Sequence, residues 1–141
     1  MAVKEKGPYQ CPVEVAFDFI SGKWTSLIIW CIAYDNVRYS DIKACLSTIS
    51  PRILSHQLKS LESDGLIFRT QYGKIPSRVE YHLTEAGLEL LPILGSLCGW
   101  ASAYFPDKIS PSSVKNCRKF FFQRYFGLSL SQPLIKTVRK K

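Results

Sequence analysis

Histidine is scarce in this chain. Only His56 and His82 are present among 141 residues, and no two of the five cysteines have CxxC spacing, so a structural zinc site has little to be built from. His56 has no second ligand three or four residues away, and no metal or cofactor is expected. An odd cysteine count, at positions 11, 31, 45, 98 and 117, also argues against a disulfide framework. Neither histidine has the neighbours of an activating base and no oxyanion loop is visible, which excludes a thiol enzyme. Long apolar runs are missing as well. The longest, residues 27–34, stops at Asp35, and the uncharged stretch 90–106 is broken by Pro92, Gly95, Ser96, Gly99 and Ser102, short for a span. The first residues have no apolar h-region, so a cytoplasmic protein with no membrane partner is expected.

Acidic residues are nearly absent from the last quarter. Residues 106–141 hold nine basic residues against Asp107 alone, whereas residues 1–105 hold ten of each sign. The net charge of +8 is therefore a property of the tail, and the body is judged on its own residues. At 46% hydrophobic and 21% charged residues, the composition is that of one soluble globular domain. The expected organisation is an arm over 1–10, a folded domain over 11–105 and a basic aromatic extension over 106–141.

What is present is a run of helix signals. Val13, Ala16, Phe17 and Ile20 make 12–21 a short amphipathic helix ended by Gly22. Residues 24–34 are apolar all round, the mark of a central buried helix that includes Cys31. Ser40 is placed to cap a third helix over 41–46. Ser50-Pro51 is the clearest start of all, an N-cap serine followed by proline at the first helical position. That helix runs to Ser63 and ends at Asp64-Gly65. Leu54, Leu58 and Leu61 form its apolar stripe; Arg52, His56, Lys59 and Ser63 lie opposite, flanked by Ser55 and Ser60. A small, polar, net basic outward face suits a helix that enters a major groove.

Two strands over 66–72 and 78–83 follow, the second alternating Val79, Tyr81, Leu83 against Arg78, Glu80, His82. Thr84 is placed to cap a last helix towards Tyr104, which Pro92 should kink or break. Four helices, a hairpin and a helix make a mainly α protein with a small β-hairpin (α+β), a winged helix-turn-helix. The last helix is apolar on more than one face through Leu88, Leu91, Leu94, Leu97, Cys98, Trp100 and Ala101. A chain this short cannot cover both faces, so a homodimer joined through terminal helices is expected. Two reading helices about 34 Å apart then read a pseudo-palindromic operator in double-stranded DNA.

The motifs Cys11-Pro12-Val13-Glu14, Gly22-Lys23-Trp24, Arg38-Tyr39-Ser40-Asp41-Ile42, Ser50-Pro51-Arg52-Ile53-Leu54, Pro76-Ser77-Arg78-Val79-Glu80-Tyr81 and Leu83-Thr84-Glu85-Ala86-Gly87 together resemble HxlR-type transcriptional regulators, which are MarR-like. Their order carries the resemblance, which covers residues 9 to 104 and leaves the tail without a counterpart. It implies a homodimeric DNA-binding regulator, repressor or activator, in which some relatives sense oxidants or electrophiles through the cysteine at the position of Cys11. Cys11 is read either as such a sensor or as a small hydrophobe packed on the dimer helix, and a small-molecule or oxidant effector fits the first reading. The DNA-binding residues expected are Arg52, Ser55, His56 and Lys59 on the reading helix and the N-terminus at Ser50. On the hairpin they are Lys74 and Arg78 with Gln71 and Ser77. Lys23 and Arg38 are phosphate clamps at the starts of flanking helices. A regulator with no thiol sensing stays open, as does a membrane-surface or protein-interaction module driven by the tail. In that tail Ser112 or Ser113 can cap a helix to Tyr125 with Val114, Cys117, Phe121 and Tyr125 on one stripe.

Overall fold

Residues 8–75 and 77–110 are described by the structure, a computed structural model. The expected tail helix and most of the N-terminal arm lie outside the described residues. The elements are α1 (Pro12–Ile20), α2 (Thr25–Ala33), α3 (Tyr39–Cys45), α4 (Pro51–Ser63), β1 (Ile67–Tyr72), β2 (Arg78–Leu83), α5 (Glu85–Tyr104) and a single 3-10 turn (Pro106–Lys108). Their order is that of a winged helix-turn-helix. The described residues divide within α5 into two compact units, one up to Glu89 and one from Leu90.

In the first unit, α2 is the central helix. Ile28, Ile29, Trp30, Cys31 and Ile32 are all buried, and the helix packs on α1, α3 and β2. Ile42 of α3, Ile49, the α4 leucines 54, 58 and 61, and Ile67 of β1 complete this core. Truncating any of them would lose transfer free energy and leave a cavity, a cost of about 2–5 kcal/mol. The α1 stripe fares differently. No α1 residue is buried, and Val13 and Phe17 remain half exposed.

Local signals set most boundaries. The Glu14 carboxylate accepts from the N–H groups of Gln10 and Cys11 at the start of α1. The Tyr9 hydroxyl donates to Asp18 and ties the preceding residues to the same helix. The Ser50 hydroxyl accepts from the Ile53 N–H at 3.2 Å, so α4 begins on the side-chain cap its sequence calls for. It ends where Gly65 takes a φ of +75°.

Three local expectations are corrected. Ser40 is not a cap: α3 starts two residues earlier than expected, with Arg38 as N-cap and no side-chain cap bond. Tertiary bonds fix that start instead. The Tyr81 N–H donates to the Val37 carbonyl at 2.7 Å, and the Tyr39 hydroxyl donates to the Pro51 carbonyl at 3.1 Å. Ser60, expected beside the outward face of α4, is buried. Pro92 does not break α5, which runs unbroken for 20 residues from Glu85 to Tyr104. By length and composition alone α5 would also pass for a membrane span, as core helices of soluble proteins do.

β1 and β2 pair antiparallel with Ile67 opposite Leu83 and Tyr72 opposite Arg78. A junction at the base of this hairpin joins four elements. The Thr84 hydroxyl donates to the Gly65 carbonyl at 2.6 Å and accepts from the Gly87 N–H at 3.2 Å. The Thr84 N–H in turn donates to the Leu66 carbonyl at 3.1 Å. The end of α4, the start of β1, the end of β2 and the first turn of α5 are thereby held by one residue.

α5 carries two apolar faces. Leu91 and Leu94 are buried, while Ile93, Leu97, Trp100 and Tyr104 are 41–66% exposed. Those four recur at i, i+4, i+7 and i+11, one continuous stripe.

Candidate nucleic-acid interface

α4 turns its leucine stripe inward and leaves Arg52, Ser55, His56 and Lys59 exposed along the other side. Arg52 and Lys59 are seven residues apart, two helical turns, so they stand on one line about 10 Å apart with His56 between them. Nothing charged and negative interrupts that line until Glu62. At the N-terminus of α4, Pro51 has no N–H and the Ile53 and Leu54 N–H groups bond the Ser50 hydroxyl and carbonyl, so the Arg52 N–H is the amide that faces out beside that line.

The hairpin supplies a second exposed edge. Gln71, Lys74, Ser77 and Arg78 are all exposed, and Ile75 at the tip is 95% so. Arg78, however, already has a partner: its guanidinium lies 2.5 Å from the Glu80 carboxylate. The same carboxylate meets His82 Nε2 at 3.0 Å. Glu80 is nonetheless the most buried residue of β2, which corrects the expected outward alternation of Arg78, Glu80 and His82. A carboxylate buried there is satisfied from both neighbours on its own face of the strand.

The His82 hydrogen bond holds the Glu80 carboxyl below its ordinary value of 4.5, against the opposing effect of burial and with a lesser pull from Arg78. A carboxyl whose folded pKa is depressed stabilises the fold above its unfolded value and loses that contribution as pH falls through the folded one. The stability of the wild type is therefore expected to decline below about pH 4.5. Glu80→Gln should be less stable at neutral pH and show a flatter acid limb. Urea midpoints measured between neutral and strongly acid pH check this; identical pH profiles for the two proteins would remove Glu80 from acid unfolding.

The flanking cations are placed less directly. Arg38 is exposed at the N-cap of α3. Lys23 is exposed just before α2, its ammonium 4.6 Å from the centre of the Trp24 ring, a cation–π contact that fixes its direction. Cys11 is exposed at the N-cap of α1.

This architecture has known counterparts. The model of the HxlR-like helix-turn-helix family matches residues 19–109. The chain belongs to that family. Among its relatives is an uncharacterised HTH-type transcriptional regulator of Methanothermobacter thermautotrophicus, 45% identical over 96 residues that cover 68% of this chain and 73% of the relative. Similar solved structures include the redox regulator HypR in its oxidised form, with a TM-score of 0.61 and 35% identity over 66% of this chain and 96% of that one. The reduced form of the transcriptional regulator YodB from B. subtilis has a TM-score of 0.62 and 30% identity, over 70% and 98% respectively. Within this HxlR-like chain the family match ends at residue 109, close to where the basic excess begins.

Sequence reasoning missed two features of the site. The ion pair that engages Arg78 follows from a buried Glu80, and a buried acid is not legible from alternation alone. Ile75 at the hairpin tip carried no signal beyond its place between Lys74 and Pro76.

Proposed function

We propose that this chain is a homodimeric, sequence-specific DNA-binding transcriptional regulator that reads a pseudo-palindromic operator through α4 and the hairpin. The observation that carries the reading is the exposed line of Arg52, Ser55, His56 and Lys59 set over the buried leucines of the same helix. Base-edge contacts come from that line, and phosphate contacts from the Ser50 N-terminus, Lys23, Arg38, Lys74 and Arg78, with Gln71 and Ser77 in support. Arg78 reaches a phosphate only by leaving Glu80, so Lys74 is the stronger hairpin contact.

Dimerisation uses the apolar stripes that one chain leaves uncovered, Ile93, Leu97, Trp100 and Tyr104 on α5 and, separately, Val13 and Phe17 on α1. A helix apolar enough for a bilayer is then a pairing helix of a cytoplasmic protein. Cys11 is exposed at the start of α1, and redox regulators stand among the structural relatives; these support Cys11 as an oxidant-responsive thiol. Its modification would shift α1 against the partner subunit and change the spacing of the two reading helices.

Sequencing the DNA retained from a random pool by the full-length protein, with and without a thiol oxidant, tests the reading. A two-fold related motif bound by two chains is expected, and enrichment of no motif overturns it. Retention on lipid vesicles without DNA selection would favour the membrane-surface reading.

The extension over 106–141 adds sequence-independent affinity. Deleting residues 131–141 removes Lys136, Arg139, Lys140 and Lys141. The expected result is weaker non-specific DNA binding, with the salt slope smaller by up to about 3.6, and an unchanged preference among sequences. Titrations on operator and scrambled duplexes at several salt concentrations measure both quantities. Loss of sequence preference in a folded dimer would show that the extension reads DNA.

A further inference from the structure

Cys31 of α2 and Cys45 at the end of α3 are 14 residues apart in sequence, yet the Cys31 thiol donates to the Cys45 sulfur at 2.9 Å. The two are not equivalent. Cys31 is 2% exposed, whereas Cys45 is exposed. Burial first, and the adjoining Cys45 sulfur second, push the Cys31 thiol well up, so it keeps its proton. Cys45 is therefore the residue of the pair that reaches the surface, and the Cys31 thiol stands behind it, aimed at its sulfur. A disulfide requires the sulfurs to close to about 2.05 Å, a movement of about 0.9 Å from the observed separation.

We propose that Cys31 and Cys45 are a peroxide-responsive dithiol that closes an intrachain disulfide between α2 and α3. In the first step the Cys45 thiolate attacks one oxygen of hydrogen peroxide. The O–O bond breaks, Cys45 becomes a sulfenic acid, and the departing hydroxide takes a proton to leave as water. In the second step the Cys31 sulfur attacks the Cys45 sulfur. The S–O bond breaks, the S–S bond forms, and the Cys31 proton leaves with the hydroxyl as a second water. The two thiols lose two electrons and two protons, and the peroxide takes up both.

The bond also acts on the helix assigned to DNA. Cys45 closes α3, and Tyr39 of the same helix donates to the Pro51 carbonyl at the first residue of α4. Drawing α3 onto α2 moves the support of α4, so the oxidised protein is expected to hold its operator less tightly. This consequence rests on the DNA-binding reading, whereas the bond itself does not.

Full-length protein treated with hydrogen peroxide, alkylated under denaturing conditions and digested without reductant tests the bond by mass spectrometry. A peptide pair joined through Cys31 and Cys45 within one chain is expected, in the wild type and in Cys11→Ser alike, and dithiothreitol should abolish it. In Cys31→Ser the cross-link is lost and Cys45 is captured by dimedone as the sulfenic acid. In Cys45→Ser the cross-link is lost and Cys31 gives no dimedone adduct. A Cys45 that stays reduced, or that joins a cysteine other than Cys31, overturns the proposal. Operator titration of oxidised Cys11→Ser decides the coupling separately: unchanged affinity overturns the coupling alone. Failure of the reduced protein to select any DNA is instead the failure of the DNA-binding reading.

Discussion

Alanine at both Arg52 and Lys59 is expected to weaken operator binding about 30-fold or more, since each side chain that reads a base is worth about 1–3 kcal/mol and 1.4 kcal/mol is a factor of ten. Both residues are exposed and lie on the opposite side of α4 from Leu54, Leu58 and Leu61. Removing them leaves the core untouched, so urea unfolding should be almost unchanged. This separates lost recognition from lost fold. The form of the loss identifies the contact. A base contact weakens the operator more than a scrambled duplex, whereas a phosphate contact weakens both alike and lowers the salt slope by about one per residue. Fluorescence anisotropy on the two duplexes at several salt concentrations provides all three readings. Operator affinity equal to wild type in a folded double variant would take α4 out of the reading role.

Helix α4 was legible because its information is local. Ser50 and Pro51 start it, Gly65 stops it, and its leucines repeat with the helical period, so no distant residue is needed to place Arg52 and Lys59 on the outer side. The pairing of β1 with β2 and the capping role of Thr84 were legible for the same reason. What failed was long-range. The start of α3 is set by Tyr81 bonding to Val37 and by Tyr39 bonding to Pro51, partners that lie up to 44 residues away in the sequence. Ser60 is buried because α4 packs along more than its leucine stripe, and Glu80 is buried because Arg78 and His82 satisfy it. The approach of Cys31 to Cys45 is likewise a product of how α2 and α3 pack. Periodicity assigns a face to each residue of a helix; it does not say which residues of two helices meet.

Gly87 poses the same problem in its sharpest form, and its replacement should cost stability where the sequence alone predicts a gain. The sequence presents it as an ordinary residue in the first turn of α5, where alanine would be favoured over glycine by about 1 kcal/mol. The packing reverses that preference. A Cβ at position 87 would stand 2.2 Å from the Leu66 carbonyl oxygen and 3.3 Å from the Leu83 Cβ. The first of these is backbone, and it is held in place by the Thr84 N–H, so it cannot swing aside as a side-chain tip would. Relief requires α5 to lift from the hairpin base, which strains the Gly87–Thr84–Gly65 hydrogen bonds. Overpacking costs about 1–3 kcal/mol and occasionally more, and a rigid contact this short belongs at the upper end. After the gain in helix propensity, Gly87→Ala is expected to lose about 2 kcal/mol. Gly65 provides the contrast. Its φ of +75° demands a left-handed residue, but none of the described residues comes within 4 Å of where a Cβ would stand. Asparagine tolerates that conformation, so Gly65→Asn should cost little, whereas asparagine at position 87 should be at least as damaging as alanine. Urea midpoints of Gly87→Ala, Gly87→Asn and Gly65→Asn measure the difference. A Gly87→Ala protein as stable as wild type would mean that the close approach of α5 to Leu66 does not constrain the fold.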